Sequence, residues 1–181
     1  LGLWVHPQLS LAQNVPDVEA LLYKVADTLG MLRTPREVDR LATMIYSGTG
    51  TTTIDNEICE LENYRSSVRY PIPSERQTLQ APGMRVDISC ARDGEEPRRY
   101  IQVVAGEFAW NETEPGLHAT PAPATVRERL LQVWLLPQGL VKAAVAAGPR
   151  TIASTEGGKP ILTFPLPAPL DDVVVSMTLD P

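Results

Sequence analysis

Histidine and cysteine are scarce in this sequence, and their scarcity limits the chemistry that it can carry. The 181 residues include only two histidines, His6 and His118, and two cysteines, Cys59 and Cys90. Two cysteines cannot complete a structural zinc site without histidine ligands. They permit one disulfide between neighbouring strands in an oxidising compartment, and two buried free thiols are the alternative. His118 could act as a general base, but no motif supplies a catalytic partner, which favours an exposed loop histidine.

The chain also lacks the loops that hold phosphates and calcium. Ser47 and Thr49 lie in "YSGTGT", but the Gly-Lys-Ser/Thr of a phosphate-binding loop does not follow. The carboxylates of "DNEICELE" lack the glycine-containing spacing of an EF-hand. The sequence therefore predicts no cofactor, no metal site and no catalytic site in this segment.

Basic residues are too few and too scattered for a polyanionic partner. Sixteen Lys and Arg face 22 Asp and Glu, which gives a net charge of -6. No basic run is present to neutralise a phosphate backbone, so we expect no nucleic-acid partner. An anionic membrane surface would repel the chain for the same reason.

A long uninterrupted apolar run is missing as well. A membrane-spanning helix needs about 20 consecutive apolar residues. The most apolar segment, "RERLLQVWLLPQGLVKAAVAAG", is interrupted by Gln132, Pro137, Gln138, Gly139 and Lys142. It therefore predicts no transmembrane span. Instead it predicts two apolar helices, with a corner at 137–139, that pack against a sheet.

What the sequence does contain is a clear alternation of apolar and polar residues. In "MRVDISCAR" this places Met84, Val86, Ile88 and Cys90 on one face, and "YRSSVRY" alternates in the same way. Such segments are typical of antiparallel strands with one dry face. "DVEALLYKVADTLGML" has helical periodicity, with Asp17 placed to cap its start. We expect an α+β fold of seven or eight strands, in which helices pack on the concave face of a curved antiparallel sheet, a half-barrel.

The first residues are similar to an export signal. "LGLWVHPQLSLAQN", residues 1–14, is typical of the remnant of a secretory signal peptide, and a disordered tail is the alternative. We expect residues 15–181 to form a single half-barrel domain that is truncated at its C-terminus. The expected location is the periplasm or the extracellular space.

The order of helices and strands, with the signal-like N-terminus, resembles the periplasmic lipoprotein carrier superfamily. In those proteins, helices close a half-barrel of antiparallel strands over an apolar cavity. "IYSGTG", "IQVVAGEFAWN", "ATPAPATVRERLLQVWLLPQGLVKAA" and "GGKPILTFPLP" are more specifically similar to the N-terminal region that precedes the catalytic domain in some bacterial metallo-β-lactamase-fold hydrolases. The similarity runs from about Val15 to Pro181. The His-x-His-x-Asp-His metal motif of that catalytic domain is absent from this chain.

These resemblances imply two possible functions, and a third does not depend on them. The first is an exported, non-catalytic module that binds a lipid-like or other small hydrophobic ligand, or acts as a scaffold. The second is an accessory domain of a metal-dependent hydrolase whose catalytic domain, beyond residue 181, would be its partner. The third is a structural or interaction module with a filled core.

Large aromatic side chains are the residues that a hydrophobic cavity would use. The candidate contacts, each on an element that would enclose such a cavity, are Tyr46, Tyr64, Tyr100, Phe108, Trp110 and Trp134. Ordinary core packing is the alternative for all six.

Overall fold

The computed structural model of the protein describes residues 16–32, 41–54, 57–71, 82–91 and 96–180. The expected signal remnant or tail, residues 1–14, lies outside these ranges. Within them the chain is an α+β protein with a six-stranded antiparallel sheet, a three-stranded sheet and three α-helices.

The first helix, α1, spans Val18–Thr28 and begins where the sequence predicts. The carboxylate of Asp17 accepts a hydrogen bond, 3.0 Å long, from the backbone N–H two residues later, so it caps the helix. Leu22 and Ala26, one turn apart, are its buried residues. Gly30 follows with a φ of +66°, a left-handed conformation that glycine adopts without steric cost and that ends the helix.

Six strands form the larger sheet, and each pairs with the next in the chain. They are β1 (Thr43–Ile54), β2 (Glu57–Arg69), β3 (Gly83–Ala91), β4 (Arg98–Ala105), β5 (Phe108–Glu112) and β6 (Thr120–Pro121). All of these pairings are antiparallel. The alternation predicted for β3 is confirmed, because Met84, Val86, Ile88 and Cys90 are buried and the residues between them are partly exposed.

The apolar segment between the strands forms two helices. Helix α2 spans Val126–Trp134, and α3 spans Pro137–Ala147. Leu136 is extended and Pro137 opens α3, so the backbone turns at the predicted corner. Gly139 allows the two helices to approach closely, since a Cβ atom at this position would lie 2.5 Å from the carbonyl oxygen of Val133.

No single helix in the described ranges is long and apolar enough to cross a membrane. Pro123–Trp134 and Pro137–Arg150 reach the required length and hydropathy only when they are taken together. These two segments are bent by 93° relative to each other.

The last three strands form a sheet of their own. β7 (Ile152–Glu156), β8 (Lys159–Pro165) and β9 (Val174–Thr178) pair in that order, all antiparallel. The predicted hairpin turn between β7 and β8 is confirmed, with φ of +56° at Gly157 and +80° at Gly158.

The sequence predicts seven or eight strands in one sheet, and both the number of strands and the number of sheets were wrong. The described ranges hold nine strands in two sheets, and no ladder joins the two sheets. The helical pair α2–α3 separates β6 from β7 along the chain, and it packs on both sheets. Helix α2 contacts β3, β4 and β5, α3 contacts β8, and α1 packs against α3.

One buried cation fastens α2 to the larger sheet. The guanidinium of Arg129 donates hydrogen bonds to the carbonyl oxygens of Val103 at 2.9 Å and Trp110 at 2.8 Å. It also donates to Oδ1 of Asn111. Burial lowers the pKa of Arg129, and the hydrogen bonds offset the cost of placing this charge in the interior.

Candidate functional site

Four of the six predicted aromatic residues lie on the side of the larger sheet that packs against the helices. Ile88 is buried on β3, and Tyr64 and Tyr100 lie directly opposite it on β2 and β4. Residues directly opposite each other in a sheet share a face. Tyr46 shares this face through its own partner on β2, and Trp134 of α2 belongs to the same hydrophobic cluster. We call this the inner face.

Phe108 and Trp110 lie on the opposite side, the outer face. Trp110 is opposite Val103, which is opposite Arg85. Arg85 alternates with the buried residues of β3 and therefore faces outward. Phe108, two residues before Trp110, shares the outer face and is 71% exposed. The structure does not bring these two residues together with the other four.

The tyrosines of β1 and β2 form a half-buried pair on the inner face. The hydroxyl oxygens of Tyr46 and Tyr64 are 3.4 Å apart, and their ring centroids are 5.9 Å apart. Burial raises the pKa of Tyr64, and the hydrogen bond with Tyr46 raises it further. The Tyr64 hydroxyl therefore stays neutral at physiological pH, and the pair of tyrosines presents aromatic surface with a polar edge.

Next to this pair the inner face is filled by side chains. Trp134 is 3% exposed, and its ring centroid lies 6.1 Å from that of Tyr70. The hydroxyl of Tyr70 donates to the carbonyl oxygen of Val133 at 3.1 Å. Burial raises the pKa of Tyr70, with a smaller contribution from Tyr46. This contact joins the end of β2 to α2, and Trp134 occupies a core position there.

Two buried side-chain polar atoms on this side have no hydrogen-bond partner among the residues that the structure describes. They are Oγ of Ser66 and Nε1 of Trp134. Leaving such a group unpaired costs roughly 1–3 kcal/mol. These unpaired atoms lower the free energy of unfolding, and the apolar packing of the inner face has to contribute more than they cost.

A buried carboxylate organises the outer face. Glu112 is 6% exposed and accepts hydrogen bonds from Nε1 of Trp110 at 2.8 Å, from the backbone N–H of Gly116 and from both terminal nitrogens of Arg85. The paired hydrogen bonds from Arg85 have the bidentate geometry that makes ion pairs strong. Trp110 is thus held as part of a polar network.

The ionisation of Glu112 follows from this network. Burial acts to raise the pKa of the carboxyl group. The hydrogen bonds from Arg85, Gly116 and Trp110 favour the ionised form by more, and the pKa is lowered to about 2. A carboxylate that stays ionised and is fully engaged by donors has a structural role here.

Cys59 and Cys90 are joined by a disulfide. Cys90 lies opposite Leu61 on β2, two residues after Cys59, so the bridge links adjacent strands at one end of the sheet. The Cα atoms are 5.7 Å apart, and both residues are buried.

An apolar groove lies between α1 and the edge of the smaller sheet. We call it the α1–β9 groove, and its volume is about 260 Å³. Its apolar lining residues are Leu21, Val25, Leu29, Pro160, Met177 and Leu179. Its polar lining residues are Lys24, Thr28, Thr178 and Asp180. The groove exists because α1 rests on α3, which holds it beside β8 and β9 without filling the space between them.

None of the six predicted aromatic residues lines this groove. The signals were present in the sequence, because Leu21, Val25 and Leu29 recur at helical spacing and Met177 and Leu179 alternate along a strand. Such patterns identify apolar faces. They do not show which two faces remain incompletely packed against each other, so the sequence alone could not locate the groove.

The remaining candidates for a chemical role are metal-ligating side chains and His118. Within the described ranges, no three His, Cys, Asp or Glu side chains are grouped as a metal site would require. His118 is exposed and has a φ of +52°. It lines a hollow of about 280 Å³ together with Arg99, Asn111 and Glu112. Arg99 is already paired with Asp87 and Glu112 with Arg85, so this hollow offers His118 no unengaged acidic partner.

Comparisons with models of protein families, with curated proteins and with solved structures found no match to this chain. The candidate sites are therefore judged by their geometry and chemistry.

Proposed function

We propose that this protein is an exported, non-catalytic module that binds a lipid-like hydrophobic ligand in the α1–β9 groove. The observation that carries the proposal is the groove itself, a partly open space of about 260 Å³ with mainly apolar walls. Small-molecule sites are typically concave and apolar with a few polar groups, although most are somewhat larger, at about 300–1,000 Å³. Apolar surface left open to water is unfavourable, and a hydrophobic ligand would cover it.

The disulfide supports the proposed location outside the cytoplasm. Disulfides persist in oxidising compartments such as the periplasm, and they are rare in the cytosol. The Cys59–Cys90 bridge is buried within the larger sheet, which suits a protein that folds after export.

We further propose that residues 15–181 form one half-barrel-like domain in which the larger sheet curves around α2. The packing of α2 on β3, β4 and β5, and the buried inner face of β3, support this arrangement. A lipoprotein-carrier-like architecture remains our proposal for the fold. It would place the ligand groove beside the half-barrel, between α1 and the smaller sheet.

The proposal can be tested with N-phenyl-1-naphthylamine, whose fluorescence rises in apolar sites. We expect the wild type to enhance this fluorescence saturably. Thr28→Trp should reduce the enhancement, because Thr28 is an exposed residue of the groove and an indole there fills the space without burying a charge. Tyr23→Trp is the matched control, since Tyr23 is exposed on the same helix and does not line the groove.

Circular dichroism should show that both variants melt near the wild-type temperature. An organic extract of the purified protein should contain a lipid-like compound. If the wild type leaves the probe fluorescence unchanged and its extract is empty, the binding function is wrong.

The filled-core module is a second candidate, and the position of Trp134 favours it. This residue is 3% exposed and packs on Tyr70, so the inner face contains core packing where a cavity was expected. This candidate predicts a stable protein that takes up no apolar probe at either the inner face or the groove.

A further inference from the structure

We infer that the α1–β9 groove takes a ligand with one alkyl chain and an anionic headgroup, and that Lys24 pairs with the headgroup. This inference rests on the proposed function, and it specifies the chemical class of the ligand. It draws on the size of the groove and on the charges in its lining.

The size of the groove suits one chain. At roughly 30 Å³ per water-sized group, a volume of about 260 Å³ holds on the order of nine such groups. A single alkyl chain of about eight to ten carbons has this bulk, whereas a lipid with two long chains has several times more. Val25 and Met177, on opposite walls, would contact the chain.

The charges in the lining leave one cation available. The charged lining residues are Lys24 and Asp180. Asp180 is already engaged in an ion pair, because its Oδ1 lies 2.5 Å from Nζ of Lys159. Lys24 is exposed and makes no ion pair with any residue of the described ranges.

Lys24 is therefore distinct from the other two lysines of the chain. Lys142 is buried on α3 above the ring of Tyr70, and Lys159 is paired with Asp180. Lys24 lies one helical turn before Thr28 and next to Val25, so it stands on the groove side of α1. An anionic headgroup placed beside the apolar walls would pair with the charge of Lys24, while the alkyl chain of the ligand covers those walls.

The experiment compares ligands that share a chain and differ in their headgroup. Decanoate, decyl phosphate and decanol are titrated as competitors of N-phenyl-1-naphthylamine at pH 8, where the two acids are ionised and lysine is protonated. We expect decanoate to bind about two- to fivefold more tightly than decanol, as for an exposed ion pair. The preference should shrink in high salt, because screening weakens exposed charge pairs.

Lys24→Gln should remove the preference and leave decanol binding unchanged. Arg150→Gln is the control, because Arg150 is an exposed cation outside the groove lining, and this variant should keep the preference. Tighter binding of either anion than of decanol supports the inference. The ratio of the dissociation constants of decanoate and decyl phosphate shows whether the site prefers a carboxylate or a phosphate headgroup.

Two results would overturn the inference while the binding function stands. One is equal binding of the acids and decanol by the wild type. The other is a preference for acids that survives Lys24→Gln. If the probe and all three competitors fail to bind, the proposed function itself fails, so the two failures can be told apart.

Discussion

The hydrogen bonds around Glu112 allow us to predict how the free energy of unfolding changes when this residue is substituted and when the pH is lowered. The carboxylate side chain is 4% exposed, and four hydrogen bonds reach it from Arg85, Trp110 and Gly116. Glu112→Gln removes the charge and turns one acceptor oxygen into a donor that faces the guanidinium. We expect the free energy of unfolding at pH 7 to fall by about 2–4 kcal/mol, as when one partner of a buried ion pair is lost.

The pH dependence follows from the lowered pKa of Glu112. In the unfolded chain the carboxyl group titrates near 4.5, and in the native protein its pKa is about 2. The native state therefore gains stability from this group above about pH 4.5, and it loses that stability as the pH falls towards 2. The difference corresponds to about 3 kcal/mol at most, reduced by solvent screening because the side chain of Arg85 is 33% exposed.

The assay is urea denaturation followed by far-UV circular dichroism at a series of pH values from 7 to 3. The wild type should lose its advantage over Glu112→Gln as the pH falls below about 4.5, so the two stability curves converge. Glu107→Gln is the control, because Glu107 is an exposed acid in the turn between β4 and β5, and it should follow the wild type. A constant difference between wild type and Glu112→Gln across this range would refute the assigned role of the carboxylate.

Three further predictions concern the core. The disulfide closes a loop with a sequence separation of 31 residues, so the double variant Cys59→Ala, Cys90→Ala should have a free energy of unfolding about 4 kcal/mol lower. Equal stability of the bridged and unbridged proteins would contradict this prediction. Trp134→Ala should cost about 3–5 kcal/mol, and an unchanged denaturation midpoint would show that α2 is peripheral. Gly139→Ala should lower the melting temperature by several degrees, because the new Cβ atom would overlap the carbonyl oxygen of Val133. A melting curve like that of the wild type would show that the corner between α2 and α3 can open.

The elements of this fold could largely be predicted from local sequence patterns. Alternation identified β3, helical spacing with an Asp cap identified α1, and two glycines identified the hairpin between β7 and β8. Each of these patterns depends on backbone geometry that a few neighbouring residues determine. The division of the strands into two sheets depends on long-range pairing, and the same alternation is compatible with one sheet or two.

The placement of the aromatic residues shows the same limit. β5 has five residues, with Trp110 and Glu112 on one side and Ala109 buried on the other. A large aromatic residue suggests the core side of such a strand. Here Trp110 instead faces outward, where its indole N–H donates to the buried carboxylate of Glu112. The burial and pairing of this carboxylate depend on Arg85 of β3, which comes near it only when β3, β4 and β5 are in register.

The most direct test of the proposed binding site is a methyl NMR titration of the wild-type protein with decanoate. We expect chemical-shift changes to concentrate on the methyl groups of Leu21, Val25, Leu29 and Met177, which line the α1–β9 groove. Changes that instead concentrate on the core methyl groups near Tyr70 and Trp134, or no changes at all, would contradict this expectation.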